Sequence, residues 1–253
     1  MNYVNLTKTI PLYAVWFFDS EDKKYIKAIN YDIEYSLRTD ADTVNNKQAY
    51  TYQNISFTTI NSFLYDQLHQ TIIYDLDSKA SCERAFASHD NNFMLLPELT
   101  ESCLVSALHC KLNSICHESS FVEYVKLTER TEKLTYSFLT DDGVYDNLPS
   151  MENWLGELSF WEDPWWERKD FSTFDNVAES QEELDAFLGK EENKDIIARM
   201  ESPIAEIESQ VIAEIYGKEI NEIIDSKKQD KGELVEVDFK NKQFKPKLVP
   251  KDK

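Results

Sequence analysis

YIKAINYDIEYSL, residues 25–37, is the stretch that decides the fold. Tyr25, Ile29, Tyr31, Ile33, Tyr35 and Leu37 fall on one side of an extended chain, with Lys27 the only interruption. Ala28, Asn30, Asp32, Glu34 and Ser36 fall on the other. Successive side chains of a strand point to opposite faces, so this period of two predicts a strand with one buried and one wet face. Upstream, Leu12 to Phe18 is a short apolar run rich in aromatics, and Asp19 to Lys24 is a polar turn. Together they predict a hairpin with a longer loop. Downstream, Tyr50 to Ile60 is a third strand candidate; its shift from Tyr50 and Tyr52 to Ile55 and Phe57 fits a bulge.

Two helices are expected next. Asn61 or Ser62 can cap one that carries Leu64, Leu68, Ile72 and Leu76 at fourfold spacing. Pro97 suits the first turn of a second, with Leu99, Leu104, Leu108, Leu112 and Ile115 along it. A second hairpin reads Phe121 to Leu127, a turn at Thr128 to Lys133, then Leu134 to Leu139. Further on, Ser180 or Gln181 begins a short helix that stops near Gly189. A long helical stretch follows from about Lys194 to about Lys227. Ile197, Met200, Ile204, Ile207 and Val211 are spaced 3, 4, 3, 4 along it, as in a coiled-coil seam. Ser202-Pro203 with Glu206 reads as a break and a new N-terminus inside that stretch. Leu234 to Phe239 looks like one more strand. The predicted class is α+β: antiparallel β-hairpins with packed helices, followed by an acidic helical C-terminal region. The expected division is an α+β body over 1–149, an acidic Trp-rich helical region over 150–228, and a short strand with a basic tail over 229–253.

Charge is distributed unevenly along the 253 residues, whose formal net charge is −20. Glu152 to Asp225 holds twenty-one acids and six bases, a net of −15, together with Trp154, Trp161, Trp165 and Trp166. Carboxylates repel nucleic acid and anionic membranes and attract basic proteins. Large aromatics anchor protein contacts. The apolar share of 42% is enough for a packed core, so this is not a disordered composition. No run reaches the eighteen or more apolar residues of a membrane span. The run Ile10 to Phe18 is interrupted by Pro11 and lacks the basic start of a secretory signal. Four cysteines are too few for a disulfide scaffold at this length, which points to a reducing cytoplasm.

Glycine sets the clearest chemical limit. The five glycines are Gly143, Gly156, Gly189, Gly217 and Gly232. Phosphate-cradling loops need glycines at close spacing so that backbone N–H groups approach the ligand. No P-loop or dinucleotide fingerprint can be written here. A metal set could be drawn from Cys103, His109, Cys110, Cys116 and His117. Zinc ligands sit within about 2.3 Å of the ion. Residues seven apart on one helix lie about 10 Å apart along its axis. The plainer reading is small buried thiols on a core helix. His69, His89, His109 and His117 lie in no nucleophile signature. Acid pairs such as Asp75–Asp77, Asp40–Asp42 and Asp141-Asp142 arise freely among forty-seven acids. No cofactor, metal ligand or catalytic residue is therefore assigned, and the chain is expected not to be an enzyme.

The expected function is a non-enzymatic, acidic protein-binding inhibitor. It would occupy the basic, nucleic-acid-binding surface of a nuclease, defence effector or toxin, and would not touch nucleic acid or membrane itself. That suits a phage or mobile-element counter-defence factor, or an immunity protein. The partner-facing residues would be Trp161, Trp165, Trp166, Glu162, Asp163, Glu167, Glu182, Glu183, Asp185, Glu191, Glu192, Glu201 and Glu208. A plain reading of the tryptophans, folded onto the β body, stands beside this, since Trp is usually highly buried. Two alternatives are kept: an assembly subunit that oligomerises through the C-terminal helix, and an enzyme with an unrecognised metal or nucleophile site.

Overall fold

A computed structural model describes residues 3–20, 23–40, 46–87, 92–139, 145–189, 203–215, 235–236 and 247–248. The fold is α+β, as the alternation predicts. Two compact units are present, Met1–Glu208 and Ser209–Lys253.

The first unit is built on a hairpin of two strands, β1 (Tyr3–Ser20) and β2 (Lys23–Asp40). They pair antiparallel without interruption from Tyr3↔Asp40 to Ser20↔Lys23. β1 therefore runs well beyond the apolar stretch that marks it in the sequence, because the regular partner strand templates it. Ile29, Tyr31, Ile33, Tyr35 and Leu37 are buried, as are Ile10, Leu12, Ala14 and Trp16 opposite them. Tyr25, past the end of the core, is exposed. Pro11 sits opposite Asp32. On the other side β1 meets its parallel neighbour only at Val15 and Trp16. Pro11 thus lies where no second partner needs its missing N–H.

Residues 46–62 correct the third-strand expectation. Tyr50 to Ile60 lies within helix α1 (Asn46–Ser62) and continues into one π-helical turn, Phe63–Gln67. Its buried positions include Ala49, Gln53, Ser56, Ile60 and Phe63, spaced 4, 3, 4, 3. That is the inner stripe of a helix lying on the sheet. The expected helix through Leu64 and Leu76 is also corrected. Leu64 and Leu68 end the first helical segment, Gln70 takes a positive φ of 63°, and β3 (Ile72–Asp75) follows. Helix α2 (Lys79–Phe86) and β4 (Phe93–Leu96) come next.

Helix α3 spans Glu101–Ser114. It starts after Pro97, not on it, because Thr100 is the N-cap and its side chain accepts from the Cys103 N–H. Leu99 lies outside it. The second hairpin is where the sequence puts it, as β5 (Ser120–Glu129) and β6 (Thr135–Leu139). The sheet order is β4-β3-β1-β2-β5-β6. The β4-β3-β1 part is parallel and the remainder antiparallel.

Ten consecutive residues of α3, Cys103 to Leu112, are buried. A helix buried all round needs cover on both sides. The sheet supplies one side, where Asn113 bonds both the N–H and the carbonyl of Val122. The chain after residue 145 supplies the other. This segment holds the short helix α4 (Met151–Trp154), a 3-10 turn at Gly156–Leu158 and helix α5 (Gln181–Leu188). Ser180 caps α5 through the Glu183 N–H, as expected. Met151, Trp154, Trp165, Trp166 and Phe171 join the same core as the sheet. Residues 203–215 are helical, and Ile204 and Ile207 pack against that core. In the second unit, β7 (Val235–Glu236) pairs antiparallel with β8 (Lys247–Leu248), inside and beyond the strand expected at Leu234 to Phe239. Among the described residues no helix is long and apolar enough to cross a membrane.

Candidate functional site

Residues 145–189 contain twelve acids and two bases, Arg168 and Lys169. The fold sorts these charges into an inner set and an outer set, and the inner set is built around Lys111.

Lys111 lies on α3 with its side chain fully buried. Its Nζ donates to the carbonyls of Trp165 and Arg168, both at 2.8 Å, and lies 3.7 Å from Asp170 Oδ1. Ser114, one turn on, donates to the same Arg168 carbonyl at 2.8 Å. Arg168 turns inward and pairs with Asp170, Nε to Oδ2 at 3.0 Å, and through Nη1 with the buried Asp175. Asp175 Oδ2 also accepts from the Trp154 indole and the Trp165 backbone N–H, each at 3.0 Å. Trp165 Nε1 donates to Leu95 O at 2.8 Å. Along the open edge of β4, Leu95 N–H donates to Thr173 O at 2.9 Å and the Thr173 hydroxyl donates to Phe93 O. The segment 154–175 is thus fastened to α3 by charge and to the sheet edge by backbone bonds. Covering that edge removes a row of unpaired groups that invites association.

Burial pushes the Lys111 pKa down to about 7; Asp170 opposes this and Arg168 adds to it. Burial alone would raise the Asp170 pKa, but Lys111, Arg168 and the Ser172 donors outweigh it and hold the carboxyl below its usual value. The pair is unequal because two cations and the Ser172 donors face Asp170, whereas for Lys111 burial, with Arg168 beside it, outweighs the attraction of Asp170 and Asp175. A lowered carboxyl pKa contributes stability that is present above the unfolded value, near 3.9, and is lost as pH falls through the folded value. Tryptophan fluorescence followed down an acid titration should therefore hold until about pH 4 and change below it. In Asp170→Asn this acid-dependent component should be missing.

The outer set behaves differently. Glu162, Asp163, Glu167, Glu182, Glu183 and Asp185 are exposed and make no ion pair among the described residues. Partial desolvation raises the Glu167 pKa, and the Asp163 carboxylate adds to the rise. Glu183 accepts from the Glu179 N–H and Asp185 from Gln181. Glu208 is half-buried on the helical stretch 203–215. Glu191, Glu192 and Glu201 lie outside the described residues.

The tryptophans divide in the same way. Trp165 and Trp166 are fully buried, which corrects their expected place among the partner-facing residues; their rings fill the core between α3 and the sheet edge. Trp161 is half-buried, with the Arg168 guanidinium 4.6 Å from its ring centroid and Phe187 of α5 edge-on at 6.5 Å. Phe160 stacks on Phe187 at 4.3 Å. Residues important here that the sequence reading passed over are Lys111, Arg168, Asp170 and Asp175 inside, and Phe187 and Leu188 outside. A lone lysine in the apolar run from Cys103 to Ile115 was the available signal.

Other candidate groups have local structural partners. Cys103 and Cys110 are buried, and burial raises their thiols to about 11 and about 12. His109 Nδ1 lies 2.9 Å from the Tyr145 hydroxyl, and burial lowers the His109 pKa. His117 stacks on Tyr52 and accepts from the Ser119 N–H. Among the described residues no three His, Cys, Asp or Glu side chains are grouped to hold a metal ion. Asp75 caps the turn before α2 through the Ser78 N–H. His89, Asp90, Asp42, Asp141 and Asp142 lie outside the described residues, as do Ile197 and Met200 of the proposed seam.

No family model and no curated protein matches this chain. Solved structures do. One is an uncharacterized protein from Wolinella succinogenes, 12% identical, with a TM-score of 0.39, covering 56% of this chain and 100% of its own. Another is a 6-pyruvoyl tetrahydropterin synthase from Caenorhabditis elegans, 14% identical, with a TM-score of 0.32, covering 56% and 98%. A third is the same synthase from Plasmodium vivax, 14% identical, with a TM-score of 0.21, covering 58% and 69%. These matches correct the expectation that the chain is not an enzyme: two of the three are synthases, and the non-enzymatic reading is not carried further.

Proposed function

We propose that this chain binds a partner protein with a basic surface, in the cytoplasm, and that the acids of residues 145–189 are its binding face. The partner is a protein whose own ligand is nucleic acid: a nuclease, a defence effector or a toxin. Occupying its basic surface would exclude DNA or RNA from it, the action of a counter-defence or immunity protein. One observation carries this reading. Arg168 is spent on Asp170 and Asp175, so Lys169 is the only base left in the segment to face the ten remaining acids. Ordinary soluble surfaces intersperse both signs, and a one-signed surface accepts self-repulsion for which recognition is a reason.

The test is calorimetry against purified basic nucleases and against acidic proteins of similar size. Binding should be confined to the basic set and should weaken roughly tenfold or more between about 0.05 M and about 0.3 M salt. Adding this chain should also release DNA from the bound partner. The combined variant Glu162→Gln, Asp163→Asn, Glu182→Gln, Asp185→Asn should lose most of that affinity. Binding that ignores salt, or that survives neutralisation of all four acids, would overturn the proposal.

A further inference from the structure

A patch of apolar side chains interrupts the acidic surface. Phe160, Trp161 and Phe187 form one ring cluster, linked by the 4.3 Å stack of Phe160 on Phe187 and the edge-on approach of Trp161 at 6.5 Å. All three are half-buried, and Leu188, which follows Phe187 in the chain, is 59% exposed. Two pieces of chain hold this ledge in place. Residues 158–160 are tied to the returning segment by the Phe160 N–H to Asn176 O bond at 3.2 Å, the Ala178 N–H to Leu158 O bond at 2.7 Å and the Ser159↔Val177 bridge. Helix α5 is fixed by its Ser180 cap and by buried Leu184. The ledge is therefore a preformed surface, and a ligand meets rings already ordered.

Glu162 and Asp163 follow Trp161 directly in the chain, and Glu183 precedes Phe187 by one turn of α5; all three acids are exposed. Arg168 lies over the Trp161 ring and is held by Asp170 and Asp175, which leaves exposed Lys169 as the one unpaired base of residues 145–189 against these acids. An apolar centre inside a polar, one-signed rim is how interface hot spots are arranged.

We infer that this ledge docks a short, basic amphipathic segment of the partner protein, with one apolar side chain seated against Trp161, Phe187 and Leu188 and with Lys or Arg on either side meeting the acids. Charge complementarity fixes the occupant. An acidic or neutral apolar segment would bring no counter-charge to Glu162, Asp163 and Glu183, and nucleic acid would be repelled by them. The inference rests on the reading of this region as a partner-binding face, and it names the partner's chemistry at one point of that face.

The experiment uses the full chain and two synthetic peptides of equal positive charge. One carries Leu and Phe on a side opposite its Lys and Arg; in the other Ser replaces those apolar residues. The amphipathic peptide should bind at least about tenfold tighter, and Trp161→Ala should remove that advantage. Leu188→Ser should weaken it too, and because that side chain is largely in solvent the variant keeps its fold. Phe121→Ala, exposed on β5 well away in sequence, should leave affinity unchanged. If both peptides bind alike and Leu188→Ser changes nothing, the ledge is overturned while the charge-based function stands. If neither peptide binds, both readings fall.

Discussion

Asp175→Ala should lower the unfolding free energy by about 3–5 kcal/mol, the usual cost of breaking a buried ion pair from one side. The carboxylate is fully buried and takes three donors: Arg168, the Trp154 indole N–H and the Trp165 backbone N–H. Removing it leaves a largely buried guanidinium with Asp170 as its one remaining carboxylate partner, and orphans the Trp154 indole and Trp165 backbone donors. Each unsatisfied buried donor costs about 1–3 kcal/mol on its own account. Asp175→Asn keeps the shape and one acceptor oxygen, so its loss should be smaller. Asp163→Ala is the control, since that carboxylate is exposed; a surface change of this kind stays within about 0.5 kcal/mol. Urea midpoints of the three variants, at one pH and salt, check the order. Equal midpoints for Asp175→Ala and Asp163→Ala would mean that the inner charges do not fasten the segment.

The contrast between these two aspartates shows how far the sequence could be read. Both stand in one acidic stretch, twelve residues apart, and nothing in local composition separates them. What separates them is how the segment folds: Asp175 meets Arg168, the Trp154 indole and the Trp165 N–H, on a stretch that Lys111, more than fifty residues upstream, holds by the Trp165 and Arg168 carbonyls. The strand β2 was legible because its face is set by its own residues: every second side chain from Ile29 to Leu37 is apolar and buried. Helix α1 was not, because its buried row includes Gln53 and Ser56. A count of apolar spacing passes over them and finds Tyr50, Tyr52, Ile55 and Phe57 instead. β3 was hidden by coincidence. Leu64, Leu68 and Ile72 keep a fourfold spacing across a turn made at Gln70, a residue type that gives no turn signal. The aromatic and β-branched run Ile72 to Tyr74 pairs with two parallel neighbours, and such pairing outweighs a local helical pattern. The tryptophans were legible as a cluster but not as two kinds. Leu95 and Asp175 present acceptors to the Trp165 and Trp154 indoles, while Trp166 is buried by packing alone.

Trp165 is where those acceptors converge, and Trp165→Ala should cost about 3–5 kcal/mol, in the range for deleting a fully buried Trp. Its ring packs edge-on against Trp166 at 5.5 Å, and its Nε1 donates to Leu95 on the sheet edge. Its own N–H and carbonyl are the groups that Asp175 and Lys111 hold. Trp165→Phe keeps most of the packed volume and loses the indole bond, so it should cost roughly 1 kcal/mol beyond its change in volume. Trp161→Ala, half-buried on the outer ledge, should cost far less stability than Trp165→Ala. The two inner sites share a network, so Trp165→Ala combined with Asp175→Ala should fall short of the sum of the single changes by about 0.5–3 kcal/mol. A double-mutant cycle in urea measures this directly. Strict additivity would mean that the indole and the carboxylate hold the segment independently, and the single latch inferred from their geometry would have to be given up.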